Sequence, residues 1–201
     1  MYAERRYVQL DECRPRAHDS IPMGCKFRGM LRRCHTARKP HRRPVMSSEA
    51  FMRAAIAEAE LGLRENRGGP FGCVIVRGGS VIARGTNLVT STNDPTAHAE
   101  VTAIREACRQ LGTFRLEGCE LYTSCEPCPM CLAAIYWARI SKVYYGNTRE
   151  DAAAIGFDDD FIYRQMPLPL EQRAIEMKPC LRAEAQQTFL AWATKPDKVE
   201  Y

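Results

Sequence analysis

Beyond residue 46, apolar residues recur at alternating helical and strand spacings. Ser47 or Ser48 can cap a helix running to about Glu65, with Met52, Ile56, Ala59 and Leu63 on one stripe. Gly68, Gly69 and Pro70 stop it. Residues 73–76 and 81–83 are strand-length apolar runs separated by Gly78 and Gly79, which predicts a hairpin with a two-residue turn. Asp94 followed by Pro95 predicts a helix start, and Val101, Ile104, Cys108 and Leu111 continue it at helical spacing. A strand over 119–123 comes next, then a helix opened by Pro129 and running to about Ala138. A strand over 142–145 and a short helix over 150–155, ended by Gly156, lead to a last helix over about 184–193. That last helix carries Ala185, Phe189, Trp192 and Ala193 on one side. Helices alternating with strands imply an α/β sandwich around one mixed sheet, its opening hairpin antiparallel and its other strands parallel.

Charge divides the chain. Residues 1–45 hold 12 Lys and Arg against 4 Asp and Glu, whereas residues 46–201 hold 17 against 20. The basic character therefore belongs to the first segment alone, and the mildly acidic body gives no reason to expect a nucleic-acid partner. Residues 1–45 lack sustained periodicity and read as a poorly ordered extension of a domain spanning 46–201. A basic interaction arm and an organellar transit peptide are the alternatives. No uncharged apolar run approaches 18 residues, so no membrane helix is expected. The first 30 residues contain no apolar run of signal-peptide length, which points to a cytoplasmic protein. The ten cysteines then read as reduced thiols, some of them metal ligands.

The chemistry concentrates in two segments, Thr96-Ala-His98-Ala-Glu100 and Glu126-Pro-Cys128-Pro-Met-Cys131. His98 is the only histidine of the body, since His18, His35 and His41 all lie in the basic segment. His-x-Glu followed by Pro-Cys-x-x-Cys is the signature of zinc-dependent deaminases. Zinc accepts thiolate and imidazole in tetrahedral geometry, and a catalytic site keeps its fourth position open for water. Cys128 and Cys131 fall at a helix start, where the dipole favours thiolates. Glu100 is then free to move protons. One geometric condition applies. Residues two apart on a helix point about 200° apart, so His98 and Glu100 meet only if the metal lies off the helix end. Three other readings compete. Cys125, Cys128 and Cys131 have the spacing of an iron–sulfur run without its fourth cysteine. A redox Cys-x-x-Cys leaves His98 and Glu100 without a role. A structural zinc module would need Cys125 as fourth ligand.

From about residue 46 to the end, the chain resembles the bacterial guanine deaminases of the cytidine deaminase-like superfamily. The resemblance rests on Gly69-Pro-Phe-Gly72, on the stretch from Asn93 through His98 and Glu100 to Arg105, and on Leu121 through Cys131. It also rests on Ala134-Ile-Tyr-Trp-Ala-Arg139, on Gly156-Phe-Asp-Asp and on the Glu-Tyr terminus. It implies a three-layer α/β/α sandwich around a mixed five-stranded sheet, with one zinc per subunit held by His98, Cys128 and Cys131. Glu100 would be the catalytic proton shuttle. It further implies hydrolysis of the small purine guanine to xanthine and ammonia, by a homodimer that exchanges C-terminal segments. Asn87, Asp159 and Tyr201 match residues that bind or enclose the purine, with Phe71 and Trp137 able to stack on it. Each also has a plain structural reading: Asn87 as a turn residue, the Asp158 to Asp160 triplet as a solvated loop, Tyr201 as a frayed end, Phe71 and Trp137 as core. Guanosine deaminase shares these motifs. The tRNA adenosine, cytosine and cytidine deaminases share the zinc signature alone.

Overall fold

The computed structural model describes residues 47–201. The readings of residues 1–45 lie outside them.

Helix α1 (Ser48–Arg64) begins where Ser47 accepts a hydrogen bond from the Ala50 amide, as the sequence predicts. The hairpin follows, with β1 (Gly72–Arg77) and β2 (Ser80–Thr86) joined by Gly78 and Gly79. Both glycines have positive φ, which a two-residue hairpin turn requires. A single-turn α2 (Val89–Thr92) leads to α3 (Ala99–Leu111), β3 (Cys119–Cys125), α4 (Pro129–Trp137) and β4 (Lys142–Asn147). Then come α5 (Arg149–Ala154), α6 (Asp160–Gln165), a 3₁₀ turn over Leu170–Gln172 and α7 (Arg182–Thr194).

The sheet is mixed, with strand order β2-β1-β3-β4. Only β3 and β4 pair in parallel; β1 is antiparallel to both of its neighbours. The expectation of a parallel remainder therefore needs correcting at β1–β3. The physical reason lies in the crossover. The helical connection from β2 to β3 delivers a strand parallel to β2, as such connections do, but β3 lands one place over, beyond β1. The sheet has four strands among the described residues where five were implied, because the chain beyond β4 continues as helices.

Two apolar clusters make the layers. On one face α1 packs Phe51 and Ala55 against Val74, Val76 and Tyr122. On the other, α3 and α4 bury Ala99, Ala103, Ala107 and Ile135 over Cys73, Ile75, Cys119 and Leu121. The buried positions of α1 are Phe51, Ala55, Ala59 and Gly62; of the expected stripe Ala59 is buried and Met52 is partly so, whereas Ile56 and Leu63 are exposed. Small residues win because the backbones nearly touch. A Cβ on Gly72 would lie 2.3 Å from the Ala55 carbonyl oxygen, and one on Gly85 would lie 2.3 Å from that of Ala99.

Gly85 thus sets how closely α3, which carries the chemistry, approaches the sheet. Gly85→Ala should destabilise the protein by about 1–3 kcal/mol, the usual cost of overpacking. A shift of the urea midpoint to lower concentration at constant slope checks this; an unchanged midpoint would mean that α3 floats.

No helix among the described residues is long and apolar enough to cross a membrane.

Candidate active site

Two helix N-termini converge at one end of the sheet. His98 is the N-cap of α3 and Cys128 the N-cap of α4, both with extended backbone and neither using its side chain to cap. The helix expected from Asp94 starts later, at Ala99. Asp94 Oδ1 instead accepts bonds from the Thr96 amide (2.8 Å) and hydroxyl (2.6 Å), which closes a turn ahead of the helix. The delay meets the geometric condition. His98 projects off the helix end while Glu100, in the first turn, points to the same spot. Pro129 opens α4 and places Cys131 in its first turn, fully buried.

His98 Nδ1 lies 3.6 Å from Cys128 Sγ and 3.5 Å from Cys131 Sγ. Tetrahedral bonds of about 2.3 Å to sulfur and 2.0 Å to nitrogen would put such donors about 3.5 Å apart, so the trio fits zinc as it stands. These three form the one metal-competent His/Cys/Asp/Glu group among the described residues. Cys125 stays outside it, with its thiol directed to the Thr148 carbonyl at 3.5 Å. This takes one of its three cysteines out of the iron–sulfur run and removes the fourth ligand that a closed structural zinc would need. The Cys131 thiol and His98 hold the Cys128 thiol far below its usual range, at about 4. Cys128 in turn raises the His98 imidazole. Zinc binding requires the thiolate form of its cysteine ligands, which this environment favours at Cys128.

Glu100 is 5% exposed, and burial pushes its carboxyl up. Its Oε2 accepts from the Cys131 thiol at 3.4 Å and its Oε1 from the Thr123 hydroxyl at 3.3 Å. His98, Glu100 and Cys128 open into a cavity of about 730 Å³ that also exposes Asn87, Phe71, Phe157 and Asp159. Asn87 Oδ1 accepts from the Gly69 amide at 3.2 Å and the Val89 amide at 3.1 Å. With two N–H donors on that atom, it is the oxygen, and Nδ2 is left as a donor for the cavity. Gly68 passes so close that a Cβ there would sit 2.3 Å from Asn87 Oδ1. Burial raises the Asp159 carboxyl. Asp158 shares the cavity, whereas Asp160 begins α6.

Trp137 and Tyr201 do not line this cavity in their own chain. They pack against each other, with ring centroids 5.8 Å apart, and are 61% and 71% exposed. Arg115 Nη2 also donates to the Glu200 carbonyl beside them. Sequence reading missed Thr123 and Phe157. Phe157 meets Phe71 edge-on, with centroids 4.9 Å apart.

The fold and this donor set define a class: an α/β/α zinc hydrolase of the deaminase type, with a buried carboxylate beside a His/Cys/Cys site. Residues 46–147 match the cytidine and deoxycytidylate deaminase zinc-binding region, and the chain belongs to that family. It is 52% identical to Bacillus subtilis guanine deaminase over 156 residues, 78% of this chain and 100% of that protein. The crystal structure of that enzyme superposes with a TM-score of 0.75, covering 78% of this chain and 99% of the other. A guanine deaminase from Nitrosomonas europaea superposes with a TM-score of 0.55 at 33% identity, over 58% of this chain and 68% of that one. A tRNA-specific adenosine deaminase of Agrobacterium fabrum is 50% identical over 106 residues, 52% of this chain and 68% of that protein.

Proposed function

We propose that this chain is a zinc-dependent guanine deaminase, converting guanine and water to xanthine and ammonia. The likeness to the Bacillus guanine deaminase carries the reading, because it runs through 78% of this chain while that to the tRNA deaminase stops near half. On this reading residues 46–201 are the catalytic unit: the family match spans 46–147, and the likeness to the Bacillus enzyme runs over 156 residues.

His98, Cys128 and Cys131 would hold the zinc, which supplies Lewis acidity that makes water nucleophilic at neutral pH. The buried Glu100 moves one proton of the water to the ring nitrogen beside C2 as the oxygen adds there, and then carries the remaining hydroxyl proton to the 2-amino group, so that the C–N bond breaks and ammonia leaves. The water oxygen ends on C2. Asn87 Nδ2 donates to an acceptor on the purine edge, Phe71 and Phe157 flank the ring, and Asp159 accepts from a ring N–H or amine. Free thiols at all seven cysteines of the described residues suit a cytoplasmic enzyme. Purified zinc-loaded protein should release ammonia from guanine and not from guanosine, adenine, cytosine or tRNA. Release from guanosine alone would reassign the substrate.

Asn87→Asp separates binding from folding. The carboxylate still accepts from Gly69 and Val89 but cannot donate to the purine. The KM for guanine should rise about tenfold or more with an unchanged melting temperature, as for loss of one buried hydrogen bond. An unaltered KM would leave Asn87 as a turn residue.

The dimer belongs to this proposal. Beyond β4, only Ala152 is buried, while Phe161, Ile175, Phe189, Leu190 and Trp192 stand exposed. An apolar helix without a surface under it calls for a partner. Tyr201, distant from the cavity of its own chain, would close that of the other subunit, as Trp137 would stack from the dimer interface. Deleting residues 195–201 should leave zinc-loaded protein with weak guanine binding. Mixing it with inactive Glu100→Gln chains should restore part of the activity, because one active site of the heterodimer then combines the intact carboxylate of the truncated chain with the intact arm of its partner. Heterodimers that form without rescue would place the arm within its own chain.

A further inference from the structure

Strand β3 turns Cys119, Leu121, Thr123 and Cys125 toward α3 and α4, and Tyr122 toward α1. Three of these four inward residues are apolar or thiol. Thr123 is the exception, and it is 1% exposed. A hydroxyl so buried calls for a partner, and the partner is Glu100 Oε1 at 3.3 Å. On the adjoining strand, Cys73 pairs in register with Thr123 and is also fully buried. Burial, and after it the Glu100 charge, raise the Cys73 thiol.

The other side-chain donor to Glu100 is Cys131, at Oε2. A cysteine that ligates a metal is a thiolate and has no proton to donate. The Thr123 hydroxyl is then the side-chain donor that remains. It comes from β3, which is paired on both sides, by β1 and by β4.

Resting on the deaminase reading above, we infer that Thr123 is a positioning residue, whose hydroxyl fixes the Glu100 carboxylate so that its free oxygen faces the reacting water and amine. Thr123 touches neither substrate nor metal donors; its effect passes through Glu100. Valine has the same shape and β-branching without the hydroxyl, and serine keeps the hydroxyl without the methyl. A hydrogen bond to a buried charged group predicts a fall in kcat of about tenfold to a hundredfold for Thr123→Val. The KM should stay within about twofold, because the purine edge is held elsewhere. Thr123→Ser should recover most of the kcat.

The experiment measures kcat, KM, zinc per chain and melting temperature for wild type, Thr123→Val and Thr123→Ser. The expected result is a loss in kcat alone for valine, rescue by serine, and one zinc in every form. Wild-type kcat in the valine variant overturns the inference, as does a serine variant that turns over as slowly as the valine one. If valine disrupts folding, the serine variant decides by itself: near wild-type kcat supports the inference and a deep loss overturns it. Failure of the wild type to act on guanine would count against the substrate assignment only, because the ratios between variants hold on whichever amine substrate is turned over.

Discussion

Glu100→Gln should keep its zinc and its fold and lose about 10²–10⁴-fold in kcat, the range for removal of a positioned general acid–base. The amide is isosteric, and its oxygen can still accept from Thr123. Its NH₂ can donate to the Cys131 sulfur, which lies 3.4 Å from the present Oε2. What it cannot do is take up a proton and pass it on. Glu100 is also a charge in a nearly dry site, and burial already disfavours its ionised form. Neutralising it should therefore hold or raise the melting temperature. Zinc per chain, melting temperature and ammonia release measured together check this. A variant that works near the wild-type rate would remove Glu100 from the chemistry.

The second large effect belongs to Cys131. Cys131→Ala deletes the donor that lies 3.5 Å from His98 Nδ1, in the first turn of α4. Two protein donors remain. Zinc should fall from one per chain toward none after dialysis, and turnover should fall to background. A metal that binds only the folded state stabilises it by about 4 kcal/mol at 1,000 times its Kd, so the melting temperature should drop by many degrees. Chelating the wild type should reproduce both losses, and added zinc should reverse them. Cys125→Ala is the control. Its thiol faces the Thr148 carbonyl, so that variant should retain zinc and activity. Loss of zinc from the Cys125 variant with retention in the Cys131 variant would place the metal elsewhere.

The parts of this site that were legible in the sequence are those where spacing alone dictates geometry. Cys128 and Cys131, three apart behind a proline, must share the first turn of a helix. The Gly78-Gly79 pair must turn a hairpin, as it does. Local signals failed where two structures use the same residues. Asp94 and Pro95 suit a helix start and a turn equally, and the hydrogen bonds of Thr96 to Asp94 decide for the turn. In α1 the expected stripe caught Ala59, but Ala55 and Gly62 face the sheet in place of Ile56 and Leu63, because close approach of backbones favours small residues. The helices α2 and α6 are too short for a period to register. Thr123 lay in plain view as a polar position on the inward face of an apolar strand. Its meaning depended on which residue of α3 would lie above it, which is a fact of packing. The placement of Tyr201 against Trp137 likewise joins residues far apart in sequence.

The most direct test of the account is the deamination of guanine in water enriched in oxygen-18. Xanthine carrying one heavy oxygen, formed in step with one equivalent of ammonia and abolished by Glu100→Gln, is the result predicted for hydrolysis at the His98, Cys128 and Cys131 centre. Guanine left unchanged by the zinc-loaded protein, or a product without solvent oxygen, would contradict it.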